Sequence, residues 1–372
     1  MSRPPLRVWV WTAATLALVV VALLLWENSD AAATSSTTAA PADAPAGTPA
    51  GAVSAAWSAD GDPLPRQVVE DARVLVGSGH GVRALDPATG REAWHYVRDN
   101  ARLCGLTATD GVAVAVFRTA DRCDEAVALD ADTGVRKWTR NVNFRADATL
   151  TSTSRIVLAS SPSGIVTLDP TGNNIRWRWA APPACDVLGS AAGDGGVAVL
   201  YRCPEDSTLQ LRLMDGFDGD EHWTRSVVVD DPDDVELLGA DRLVGVRAGD
   251  EVRLFGGAGG TQLTTLPAGA DRDVRQTAVP SAVLVGVNGT LTALDPSTGA
   301  RSWEAPATGL PAVDGEGTVL AVPDGDAIVY RDPVSGAELS RSTSAELPTG
   351  ATATVVGPVI VLRLDDRVLA LS

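Results

Sequence analysis

The sequence predicts an all-β fold, an eight-bladed β-propeller of four-stranded antiparallel blades preceded by one N-terminal transmembrane helix. Three observations predict it. The stretch "ALDPATGREAW" at residues 84–94 returns as "ALDADTGVRKW" (128–138), "TLDPTGNNIRW" (167–177) and "ALDPSTGARSW" (293–303). Aligned on their aspartate, the copies fall at Asp86, Asp130, Asp169, Asp215, Asp295 and Asp332, with degenerate members at Phe255 and Ser372. The mean spacing is about 41 residues, a period that signals propellers or solenoids. Second, the residues between motifs alternate apolar with polar, as half-buried strands do. Third, the one long apolar run lies at the N-terminus, and no long amphipathic pattern follows residue 26.

The elements follow in chain order. Residues 1–7 form a short N-terminus carrying Arg3 and Arg7. Residues 8–26 are uncharged and apolar. As a helix rising about 1.5 Å per residue they span about 28 Å, close to a hydrocarbon core of about 30 Å. Arginines before the run and Glu27 and Asp30 after it keep the N-terminus cytoplasmic and the rest extracytoplasmic, with Trp9, Trp11 and Trp26 near the interfaces. This is the signature of a single-pass signal anchor in the cell membrane. A cleaved signal peptide, with residues 31–33 as the small-residue site, is the other reading of the run. No cysteine precedes Cys104, so the pattern of a lipidated N-terminal cysteine is absent. Residues 27–52 are Ala, Thr, Ser and Pro with little else, a composition that buries no core and predicts a disordered tether.

Residues 53–372 form the ring. The first full copy reads "RVLVGSG", "GVRALD", "PATG", "REAWHY": strand, strand, turn, strand. Pro87 presets φ for a type I turn, Asp86 accepts backbone N–H groups, and Gly90 supplies a left-handed residue. Further turns at residues 109–111, 193–196 and 314–317 complete four strands per copy. Trp94, Trp138, Trp177, Trp223 and Trp303 recur on the outermost strand, where a buried indole packs on the next blade with its N–H on a carbonyl. The eighth copy stops before its turn and its outer strand, while a spare Trp57 sits in "SAAWSADG". The spare segment is therefore expected to pair with residues 367–372 and close the ring without free sheet edges. The fifth and seventh copies are degenerate enough that seven blades remains the alternative count.

Cys104 and Cys123 flank one hairpin of the second copy, and Cys185 and Cys203 flank the corresponding hairpin of the fourth. Equivalent placement in an exported chain reads as two intra-blade disulfides. Zinc ligation or a redox thiol is the alternative, without C-x₂-C spacing or clustered histidines to support it. The net charge of −17 argues against nucleic acid and against a polybasic membrane patch.

The recurring A-x-D-x-x-T-G-x-x-x-W pattern resembles the repeat of pyrroloquinoline-quinone-type (PQQ-like) β-propellers, over residues 53–372. The fourth copy departs in its turn ("DGFDGDEHW"), the fifth has Phe255 and Leu263 at the Asp and Trp positions, and the seventh has Ser340 at the Trp position. The resemblance implies either a quinoprotein dehydrogenase, with quinone and calcium on the ring axis, or a cofactor-free scaffold similar to the propeller lipoproteins of outer-membrane barrel assembly. The dehydrogenases carry an adjacent cysteine pair and inserted segments, neither of which is present here. The sequence is therefore read as non-catalytic and as holding no cofactor or metal. A small-ligand sensor or quinone-dependent enzyme using the central channel is the alternative.

Other motifs read as structure. "GSGHG" around His80 is a tight hairpin, His95 and His222 belong to outer strands, and "GGAGG" (256–260) is a loosened hairpin. "DDPDD" (230–234) lacks the spacing of a calcium loop and reads as a solvated acidic loop. What remains is the surface of loops joining blades and joining each blade's second and third strands. Arg102, Arg140, Phe144 and Arg145 lie there on neighbouring blades, and arginine and aromatic residues are favoured at interface hot spots. The expected partner is an unidentified envelope or membrane protein.

Overall fold

The computed structural model describes residues 6–27, 29–65, 69–172, 174–270, 272–312, 318–345 and 347–372. The expected turn at residues 314–317 and most of the cytoplasmic segment 1–7 lie outside the described residues. Helix α1 (Leu6–Glu27) has an apolar, exposed surface, and its length and composition suit a membrane span or a signal sequence. Eight sheets follow, and the degenerate fifth and seventh copies each form one.

Blade 2 shows the pattern: Arg102–Thr109 innermost, then Val112–Arg118, Cys123–Asp130 and Arg136–Phe144, all antiparallel. Its second strand, "VAVAVFR", is apolar and buried from Val112 to Phe117 because both faces of the sheet are covered. Ala113, Ala115 and Phe117 enter the cluster shared with blade 1, while Val112, Val114 and Val116 enter the cluster shared with blade 3. The period-two alternation of strand side chains thus builds the whole ring. The eight buried clusters correspond to the eight junctions.

The motif is a lock. In blade 1, Asp86 Oδ1 accepts the Thr89 N–H and hydroxyl, each at 2.8 Å, and Gly90 N–H donates to Asp86 O. Each indole N–H then donates to the carbonyl of the residue that follows the turn's first position in the next blade. Trp57 reaches Pro87, Trp94 Ala131, Trp138 Pro170, Trp177 Gly216, Trp223 Gly257 and Trp303 Pro333, at 2.8–3.2 Å. The turn glycine has a second role beyond its φ. A Cβ on Gly134 (φ +74°) would stand 2.7 Å from the Trp94 ring, and one on Gly90 would stand 2.6 Å from Trp57. The glycine is needed both for the left-handed backbone and because the neighbouring indole lies where a side chain would go.

β1 (Thr34–Ser36) and β2 (Ala55–Asp60) come from the N-terminal segment. β2 pairs with Arg367–Leu371, from Ala55 opposite Leu371 to Asp60 opposite Arg367, and so completes blade 8. The segment expected as a disordered tether takes a different course. β1 adds an outer strand to blade 1 against Glu92–Arg98, and residues beyond it are hydrogen-bonded along the ring. Low complexity hid this because the partners that hold the segment lie far along the chain, in blades 1, 2 and 7.

Candidate interaction face

Successive strands run antiparallel, so their connections alternate between the two ends of the ring. The Asp-Pro-x-Thr-Gly turns gather at one end. Loops between blades, and those between second and third strands, gather at the other. Both disulfides close this second end. Cys104–Cys123 joins the first and third strands of blade 2, and Cys185–Cys203 ties the entry of blade 4 to the end of its second strand. His80 also acts here, with Nδ1 2.7 Å from Ala101 O, steadying the connection between blades 1 and 2.

The four residues expected to form a contact patch do not share one role. Arg102 and Arg145 are exposed at the loop end, Arg145 paired with Asp147 at 3.1 Å. Phe144 is only 3 % exposed and packs with Cys123, Leu150 and Ala159. Its presentation to a partner is corrected: Asn143 takes φ +53°, which turns the following ring inward. Arg140 is likewise not a loop residue. It sits within an outer strand opposite Ala126.

Phe144 and Arg145 line a groove whose other cations, Arg122 and Arg178, were not among the four. Between blades 2 and 3 a depression of about 270 Å³ is lined by Arg122, Arg145, Arg178, Trp179, Ile165 and Ser163, and its lining holds no carboxylate among the described residues. Arg118 donates to Ala146 O at 2.8 Å and Arg122 to Phe144 O at 3.4 Å, holding the loop that forms one wall. Three guanidinium groups on an apolar floor suit an anionic chain segment, since Arg pairs with carboxylates through a planar fork. The signal was present in the alternation "RWRWA", but the blade geometry was needed to bring Arg178 beside Arg122.

The remaining candidates are structural. The acidic loop is solvated as expected, with Asp230, Asp231 and Asp233 exposed, and it is also tied by ion pairs. Asp233 meets Arg202 at 3.0 Å, and Asp234 meets Arg247 at 2.8 Å and Arg272 at 2.9 Å, with the Arg247 hydrogen bond holding Asp234 below the usual carboxylate range. The 256–260 glycines are a locked turn, Gly260 lying against Trp223. His95 lies under the N-terminal segment, within 3.0 Å of Ser35 and 2.6 Å of Glu92, and His222 lies 3.8 Å from Asp215. The central channel, about 410 Å³, is bordered by Glu236, Gln276, Thr277, Thr352 and Arg363. Burial, and then the nearby Arg275, lower the pKa of Arg363. No group of three or more His, Cys, Asp or Glu able to hold a metal ion occurs among the described residues.

A family profile described as outer membrane protein assembly factor BamB matches residues 38–178 and 122–282. The fold is similar to the crystal structure of BamB from Moraxella catarrhalis, at 19 % identity and a TM-score of 0.53, covering 86 % of this chain and 99 % of that one. It is also similar to the computationally designed Ika8 protein, at 14 % identity and a TM-score of 0.52, covering 84 % and 98 %. No curated protein matches the sequence.

Proposed function

This chain belongs to the β-propeller family described as outer membrane protein assembly factor BamB, and on that premise we propose that it is a non-catalytic interaction platform in envelope assembly. It is held to the cell membrane by α1 as a single-pass anchor, with the ring on the extracytoplasmic side. The observation that carries the reading is the arginine-lined groove at the loop end of a chain whose net charge is −17. A local cationic site on an anionic surface selects and steers an acidic partner while the rest of the surface repels it. The ring is a rigid support for such a groove, because each blade is packed on both sides.

Cross-linked affinity capture of the full chain from its native membrane tests this, run beside an Arg145→Ala, Arg178→Ala variant. Capture of one partner with the native chain and its loss from the variant is the expected result. Equal capture by both would remove the groove from the account, and no partner with either would remove the platform.

A further inference from the structure

The 27–52 segment has the composition of a linker, yet it is seated residue by residue. Asp30 Oδ1 lies 2.9 Å from Arg98 Nη2 as an ion pair and accepts from Asn100 Nδ2 at 2.7 Å. Arg98 is 1 % exposed and also bonds Glu125 of blade 2 at 2.7 Å, so Asp30 completes a charge cluster at the junction of blades 1 and 2. Asp99 N–H donates to Ala33 O, and β1 covers the outer edge of blade 1. Thr37 and His95 exchange backbone and hydroxyl bonds. Ala39 N–H donates to Thr133 O, Ala40 O accepts from buried Arg73, and Ala42 N–H meets the Asp132 carboxylate. The segment then crosses to blade 7, where Ala50 O accepts from Ser342, Gly51 O from Thr343, and Val53 enters the core.

This placement constrains the ring. A free tether of about 25 residues has an end-to-end distance of about 25–30 Å and leaves the ring free to tumble. Here only residues 28 and 29 separate the end of α1 from the docked Asp30, so that end lies within about 10 Å of the seat. The seat contacts residues 99 and 100, in the connection that leads into blade 2 at the loop end. The arginine-lined groove is at the same end, on the far side of blade 2.

We propose that residues 30–53 are an intramolecular strap that holds the propeller in one orientation on its anchor, with the loop end and its arginine groove toward the bilayer that α1 enters. The orientation rests on the anchor reading of α1; the docking of the strap does not. A partner of the groove is then reached from the membrane side.

The test uses the full chain reconstituted in phosphatidylcholine vesicles carrying a lipid-borne quencher, with a fluorophore at Asp121 on the loop end or at Val334 on the turn end. Quenching severalfold greater at residue 121 is expected, falling to the same value as at residue 334 in an Asp30→Ala, Ser36→Pro variant. Equal quenching of the native chain, or greater quenching at residue 334, would overturn the orientation. A chain that fails to float with vesicles would overturn the anchor. In that case amide exchange in detergent still decides the strap. The Thr37, Ala39 and Ala42 N–H groups are expected to exchange at least about tenfold more slowly than in a free peptide, and free-peptide rates would overturn it.

Discussion

The junction between blades 1 and 2 and the junction between blades 7 and 8 solve one problem with different parts. At the first, Trp94 is fully buried, its N–H is bound to Ala131 O at 3.0 Å, and Gly134 lies flat against its ring. At the second, the position of the indole is Ser340, which is exposed. Val53 and the backbone of residues 50–51 fill that place, bonded to Ser342 and Thr343 and packed against the cluster of Tyr330, Ile328 and Leu371. The repeat therefore locks blades 1 and 2, and the N-terminal segment contributes the lock between blades 7 and 8, where the repeat has lost its indole.

The largest way to break this contrast is Trp94→Ala. Loss of a fully buried indole is expected to cost about 3–5 kcal/mol, read as a lowered denaturation midpoint, whereas Ser340→Ala at the equivalent place is expected to stay within about 0.5 kcal/mol. Removing the Cys104–Cys123 bridge by paired serine substitution is expected to cost about 3 kcal/mol. That loss in blade 2 should exceed anything produced by reductant in blades 7 and 8, which hold no cysteine. Gly134→Ala adds a Cβ at positive φ against Trp94 and is expected to cost about 1–3 kcal/mol. The part of that cost due to the ring contact should vanish in a Trp94→Ala background, the left-handed backbone cost remaining, a partial coupling that a double-mutant cycle would detect. Val53→Ala is expected to cost about 1.5 kcal/mol through two lost buried carbons, showing the strap residue as part of the core.

The smallest effect is pH dependence. In the turns of blades 6 and 7, backbone N–H groups of Thr298 and Ser335 hold Asp295 and Asp332 below the ordinary carboxylate value. Burial alone would raise Asp130, but its Thr133 and Lys137 hydrogen bonds outweigh it and the net shift is downward. A folded-state value below the unfolded one of about 3.9 means stability is present above that pH and is lost as pH falls through the folded values. Thermal midpoints should thus hold steady from neutral pH to about 4 and drop below it, less steeply in Asp130→Asn.

The blades were legible because each depends on local chemistry repeated in register: Asp and Gly at fixed offsets, alternation between them, and Trp at one strand position. The disulfides were legible for the same reason, through equivalent spacing in two copies. The strap was not, since Ala39, Ala42 and Gly51 carry no side-chain signal and are held by the backbone or side chains of residues 95–343. Phe144 was misread because the left-handed turn at Asn143 decides which way the ring points. Arg145 was legible as a candidate, but the groove was not, because Arg122 and Arg145 come from one blade and Arg178 from the next, and their approach depends on how the sheets stack.

Amide exchange at Thr343 tests most directly the claim that the N-terminal segment closes the junction that the repeat leaves open. Its N–H donates to Gly51 O at 2.9 Å. It should be protected in the full chain and exchange rapidly in a chain shortened to begin at Ser54, with the Trp94 N–H unchanged in both. Equal protection at Thr343 in the two chains would contradict the account.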